Sequence, residues 1–270
     1  MFAKLKHQLI KNIEKIPLLQ IFIYNNLQFF KFLFPHDKDY YALRLLFSQN
    51  EKRAFLDVGG NIGLSSIGFR KLGFENNIIH LFEPDKDLIR LYLNKIKQKD
   101  ENLIIHPYGL SSKKSTKKLY KAYYKNIFFH FNNSFDRNYI KKKLFENYGD
   151  KSNRFILKSQ KLNLKKFDSL KIKQEVCFIK IDVEGLDHLV LYGMKNCINK
   201  FKPVILVEYN MSNFTKIYNF LRNKYNCYFF DFNNNRLIKL SKIKIQKLKK
   251  GKILEQLFKK NSVNIFFLKK

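Results

Sequence analysis

The chain has 270 residues, of which 45% are apolar and 16% aromatic, enough to bury a core and too apolar for a disordered segment. Lys and Arg number 53 against 22 Asp and Glu, a net charge of +31. Cys177, Cys197 and Cys227 fall in no CxxC or other metal-like spacing, which excludes a disulfide scaffold and a zinc module and fits a reducing compartment.

The basic excess consists of 45 Lys and only 8 Arg, beside 28 Asn, 28 Phe and no Trp. These are residues of AT-rich codons, so the charge reads first as a solvated lysine surface. A protein built to grip phosphate would use more of the planar arginine fork. An anionic membrane or polyanion is the second reading of the charge.

Ile16 to Phe34 is long enough to span a bilayer, but Gln20, Asn25, Asn26, Gln28 and Lys31 interrupt it. It reads as amphipathic helix that caps the core, with peripheral contact to a membrane surface as the alternative. With no spanning segment or secretory signal, the expected location is cytoplasmic, or peripheral at the inner membrane face. Residues 1–50 are thus expected to be a helical extension and 51–270 a single catalytic domain.

From Ala54 onward, short apolar runs alternate with helical patterns. The runs are Ala54–Val58, Ile78–Phe82, Leu103–His106, Cys177–Ile181 and Val204–Val207, with helix signals at Leu64–Leu72, Asp87–Lys97 and Leu186–Asn196. This order predicts a parallel sheet covered on both faces. An insertion lies between the third and fourth runs, roughly Ser111 to Glu175 and centred on about 120–158, with strand-like rims at Lys117–Tyr120 and Phe155–Leu162 and an aromatic, basic middle. After Glu208 the pattern predicts a helix near Thr215–Lys224, a strand at Cys227–Phe232, a lysine-rich helix near Lys247–Phe258 and a last strand at Val263–Leu268.

Four strand ends carry the chemistry. The first run enters a turn with Gly59, Gly60, Asn61 and Gly63, with Asp57 at its tip. Such a turn lets backbone approach a ligand where an α/β sheet binds nucleotide-like groups. The spacing is neither the dinucleotide GxGxxG nor a P-loop. Glu83 ends the second run 20 residues after Gly63, where an acid can accept from vicinal ribose hydroxyls. Pro84 stops that strand. The fourth run ends in Asp182-Val183-Glu184-Gly185, with His188 one helical turn on, and the fifth ends in Glu208.

Taken together, DVGGNIG, FEPD, Gly109-Leu110-Ser111, KIDVEG and VILVE resemble the FkbM-type S-adenosylmethionine-dependent methyltransferases from about Phe55 to Glu208. The resemblance implies an α/β, Rossmann-like class I methyltransferase fold: a seven-stranded, mostly parallel sheet with helices on both faces and an antiparallel last strand. It implies S-adenosylmethionine as cofactor, with Asp57, Gly59, Gly60, Asn61 and Gly63 around its methionine part. Glu83 would take the ribose beside Pro84, and Tyr108–Ser111, including Gly109 and Leu110, would lie by the adenine. Gly60 stands where the family more often has Ala, an exchange expected to be harmless. Asp182, Glu184, Glu208 and His188 are the candidates for the acceptor side, the acidic pair ahead of the histidine. A divalent metal on these carboxylates is the less favoured alternative, and none is assigned.

The resulting expectation is an O-methyltransferase for a hydroxyl of a small molecule or glycan. RNA methylation ranks behind it, because no RNA-binding motif accompanies the charge. A non-catalytic membrane-surface or polyanion-binding protein on the same fold is the reading from another class.

Overall fold

A computed structural model describes residues 35–125, 127–183, 185–249 and 264–270. The helices expected at Ile16–Phe34, the residue Glu184 and the end of the Lys247–Phe258 helix lie outside the described residues. Two compact units are distinguished, one containing Thr116–Leu162 and the other the described residues of 35–115 and 163–270.

The strands, in chain order, begin with β1 (Ala54–Val58), β2 (Ile79–Phe82), β3 (Leu103–His106) and β4 (Gly109–Leu110). Next come β5 (Ser115–Tyr124), β6 (Ile127–Ser134), β7 (Phe155–Lys165), β8 (Val176–Ile181) and β9 (Val204–Glu208). The last three are β10 (Tyr225–Asp231), β11 (Arg236–Lys239) and β12 (Asn264–Lys269). In the larger unit eight strands form one sheet in the order β11-β10-β12-β9-β8-β1-β2-β3. Strands β9, β8, β1, β2 and β3 are parallel, and β12 enters antiparallel between β9 and β10.

The count is eight and not the expected seven. The extra strand is β11, which folds back on β10 across Asn233-Asn234-Asn235, with Asn235 in the left-handed region at φ 45°. Asn tolerates that conformation better than a branched residue, so the turn can close a hairpin. The segment's lysines had obscured a short edge strand.

The sheet is buried on both faces, and alternation along each strand divides the core. Leu56, Val58, Ile179, Ile181, Ile205 and Val207 face one side, and Phe55, Ile79, Leu81, Phe178 and Leu206 the other. The first face is covered by α2 (Asp187–Gly193), α3 (Lys195–Phe201) and α4 (Met211–Leu221), which follow α1 (Leu64–Lys71) in the chain. The second face receives α1 together with Tyr40, Ala42 and Leu43 from the turn before β1. Phenylalanine does the work of the missing tryptophan there. Phe55, Phe69 and Phe178 meet edge to face with centroids 5.1 to 5.8 Å apart.

The helix after β2 is not a single regular stretch. Lys86–Leu88 passes through a π-helical turn at Ile89–Leu93 into Asn94–Lys97. The helix after β9 is α4, which begins four residues before the expected start. Asn210 caps it by accepting from the Ser212 N–H. α5 (Lys242–Lys249) buries Ile245 and Leu248 and presents its lysines outward.

In the smaller unit β7, β5 and β6 lie side by side in that order. They pack with the helix Arg137–Tyr148 around Ala122, Phe129, Ile140, Leu144 and Phe155. Asp136 caps that helix through the N–H groups of Asn138 and Tyr139. No helix among the described residues is long and apolar enough to cross a membrane.

Arg70, at the end of α1, fastens the connection into β2. Its Nε and Nη2 reach the two oxygens of Asp100 at 2.8 and 3.1 Å, and its Nη1 donates to the carbonyls of Phe74 and Asn77. A lysine cannot reproduce that fork. Arg70→Lys should cost about 1–3 kcal/mol in urea denaturation. A loss below about 0.5 kcal/mol would show the contact to be no stronger than an exposed ion pair.

Candidate active site

The parallel strands end together, and the turns leaving β1, β2 and β8 interlock through their backbone. The Gly59 and Gly60 N–H groups both donate to the Phe82 carbonyl at the end of β2, and the Asp182 N–H donates to the Val58 carbonyl. Gly59 has φ +82°, and a Cβ there would stand 1.9 Å from the Asp182 carbonyl oxygen. Only glycine combines that conformation with so close an approach of β8. The glycines of this turn are therefore needed first for packing within the protein. At Gly60 a Cβ would come within 2.3 Å of Leu81, so the Gly-for-Ala exchange is not neutral here: Leu81 fills the space.

Glu83 is the clamp of this turn. It is 7% exposed. One carboxylate oxygen accepts from the Asn61 N–H at 2.9 Å and the other from the Asp85 N–H at 2.8 Å. Asn61 needs this hold, since it sits at φ 48°. Burial pushes the Glu83 carboxyl up to about 8, against the two N–H groups, which favour its ionised form. Asp85 caps the next helix through the Asp87 N–H. Pro84 lies beside Gly109, where a Cβ would be 3.4 Å from the proline ring. Leu110 follows, buried in β4.

Asp57 does not present itself at the surface. It is 0% exposed, with Oδ2 accepting from Ser66 Oγ at 2.8 Å and Oδ1 facing Lys180 Nζ at 3.8 Å. Lys180, 6% exposed, also donates to Asp182 Oδ2 at 3.2 Å. Burial alone would lower the ammonium's pKa, but Asp182, Tyr40 and Asp57 together raise it. Burial raises Asp57, opposed by Lys180 and Ser66. The structure thus joins Asp57 and Asp182 through a lysine that sequence reasoning passed over as part of the strand.

Asp182 and Glu208 leave neighbouring strands at one level, because Ile181 pairs with Val207. Across from Glu208 stands Asn264, the first residue of β12. Its side-chain amide donates to both Asp37 and Asp39, which come from the segment before β1. Burial and the charge of Asp37 push Asp39 up to about 7. Neither aspartate was singled out from the sequence. Asp187, also missed, closes the turn after β8 by accepting from the Val183 N–H and from Asn213. His188 is packed against Tyr192, with burial and Lys216 lowering its pKa.

A second unforeseen group lies along β2 and β3. His80 Nδ1 and His106 Nε2 are 2.9 Å apart, and His106 Nδ1 is 3.1 Å from the Tyr108 hydroxyl. The His106 ring stacks on Phe82, and Lys165 sits 3.8 Å from the centre of the Tyr108 ring. Burial, with His80 and Lys165, lowers His106 to about 4, so the rings stay neutral at ordinary pH. Among the described residues no three His, Cys, Asp or Glu are grouped to hold a metal ion.

The donor set suits an adenosyl sulfonium. Beyond the two backbone bonds, the protonated Glu83 keeps an O–H donor and a remaining acceptor position for a diol. Asp57 Oδ1, buried without a hydrogen bond, leaves negative charge near the turn.

Residues 57–228 match the family described as the methyltransferase FkbM domain. A crystal structure of methyltransferase FkbM from Methylobacillus flagellatus KT is similar at TM-score 0.48 and 13% identity, over 91% of this chain and 59% of that one. The chain therefore spans about three fifths of that protein's length. A precorrin-6y C5,15-methyltransferase from Geobacter metallireducens GS-15 is similar at TM-score 0.39 and 12% identity, over 85% of each chain. No curated protein matches.

Two measurements check the turn. Gly60→Ala should cost about 1–3 kcal/mol by overpacking Leu81, and Leu81→Ala in the same chain should make the added methyl nearly neutral. The folded Glu83 carboxyl holds its proton to about pH 8, where an ordinary glutamate has lost it above 4.5. Its stabilising contribution is therefore whole below about 4.5 and falls as pH rises to about 8. Glu83→Gln does not titrate, so the stability gap between wild type and variant should narrow across that window; a pH-independent gap would refute the shifted carboxyl.

Proposed function

Because the chain belongs to the FkbM family of methyltransferases, which implies S-adenosylmethionine as donor, we propose that it methylates a hydroxyl oxygen of a small molecule or glycan. The observation that supports this reading is the acidic edge beyond β8 and β9. Asp182 and Glu208 end adjacent strands there, and Asp182 is partly open to solvent.

S-adenosylmethionine supplies a methyl already activated on a positive sulfur, so alignment and a proton acceptor are what the protein must add. In this reading Glu83 holds the ribose hydroxyls with the donor and acceptor positions that Asn61 and Asp85 leave over. Asp57, Gly59, Gly60, Asn61 and Gly63 form the side of the turn next to the methionine part. Tyr108, Gly109 and Leu110 border the adenine, beside Pro84. An alcohol is a poor nucleophile while protonated, and a carboxylate within reach takes its proton as the oxygen attacks. Asp182 and Glu208, which end adjacent strands at one level, are the carboxylates assigned to that proton. His188, neutral through its lowered pKa, is the next candidate.

Equilibrium dialysis and transfer of labelled methyl test this assignment. Glu83→Ala should raise the Kd for S-adenosylmethionine at least about tenfold, the loss of two hydrogen bonds. Glu208→Gln should lower kcat by roughly 10²–10⁴ with donor affinity unchanged. Label recovered on nitrogen across a panel of acceptors, with none on oxygen, would overturn the O-methyl reading.

A further inference from the structure

The chain Asp57–Lys180–Asp182 sets two carboxyl groups against one ammonium. Asp57 is wholly enclosed and Lys180 nearly so, while the Asp182 side chain is 39% exposed. Within this chain of three, Asp182 is the member open to solvent. The Tyr40 hydroxyl and the Asp37 carboxyl also face the ammonium, and Tyr40 is itself tied to Ser65 Oγ at 2.8 Å. Asp57 Oδ1 has no hydrogen-bond donor, so the lysine serves it by charge alone.

We infer that Asp182, oriented by Lys180, is the residue with which this site tells a cationic methyl donor from the neutral thioether left after transfer. The inference rests on the methyl-donor reading above. With Asp37 the ammonium faces three carboxyl groups, so a ligand cation near Asp182 offsets an excess of acidic groups. A neutral ligand gives that acidity nothing to pair with and is held less firmly. The same arrangement holds the donor firmly and releases the product, without any contact that differs in shape between the two. Lys180 acts through Asp182 and is a positioning residue, keeping one carboxylate oxygen fixed at 3.2 Å.

The test is equilibrium dialysis of the full chain with S-adenosylmethionine and with S-adenosylhomocysteine, reading the ratio of the two dissociation constants. Wild type should favour the donor. Asp182→Asn should lower that preference by about tenfold, the scale of one unit charge at a few ångströms near a protein surface. Asp182→Glu should restore most of it, and Asp182→Ser, which also removes the charge, must move the ratio as Asn does. A purely structural role would weaken both ligands alike, so a ratio unchanged within about twofold in folded Asn and Ser variants overturns the inference. If wild type binds neither ligand, the methyl-donor reading fails and this inference falls with it. If it binds both and the ratio ignores residue 182, only the inference is lost.

Discussion

A lysine ammonium enclosed by the sheet constrains everything built around it. Lys180 lies in a strand buried at every position, between a carboxyl at the end of β1 and another just past its own strand. An unpaired charge at that depth would cost several kcal/mol, so Asp57 and Asp182 cannot be placed independently of it. Their pairing fixes how far β1 and β8 extend before they turn. Gly59 then has to pass directly over the Asp182 carbonyl, and the next turn is held by Glu83. The ends of β1 and β8 are in this sense one electrostatic unit, joined beneath the surface.

Glycine and glutamate divide the labour of the turn in an order opposite to the simplest expectation. A glycine-rich turn suggests bare backbone offered to a ligand, yet the missing side chains at 59 and 60 make room for protein atoms. The residue expected to meet the ligand, Glu83, is meanwhile the one that holds the turn in shape. The group proposed to bind is thus also the one that shapes the turn, which leaves little freedom to vary it.

Much of this was legible in the residues. Short apolar runs ending in acids, with glycines and helix patterns between them, gave the parallel sheet and brought Asp57, Glu83, Asp182 and Glu208 to strand ends. What stayed hidden has a common cause. Lys180 and His80 each sit inside an apolar run, where the run's hydrophobicity outweighs one polar residue in any window. Their partners, Asp57 for one and His106 for the other, lie far away in sequence. Asp37, Asp39 and Asp187 were invisible for the related reason that their role is to satisfy backbone or amide groups brought near only by folding. A lone charged residue in an otherwise buried strand is itself the signal: it requires a partner, and the nearest strand-end carboxylates are the place to look.

The bond between Asn264 and the pair Asp37 and Asp39 spans more than two hundred residues of chain. β12, which Asn264 begins, occupies an interior place in the sheet between β9 and β10. During synthesis, then, β9 and β10 emerge with a gap between them and keep unpaired edges until the 264–269 segment leaves the ribosome. Such edges invite association with other nascent chains. Closure of the sheet by β12 is thus a non-local contact, of the kind that costs most loop-closure entropy to form.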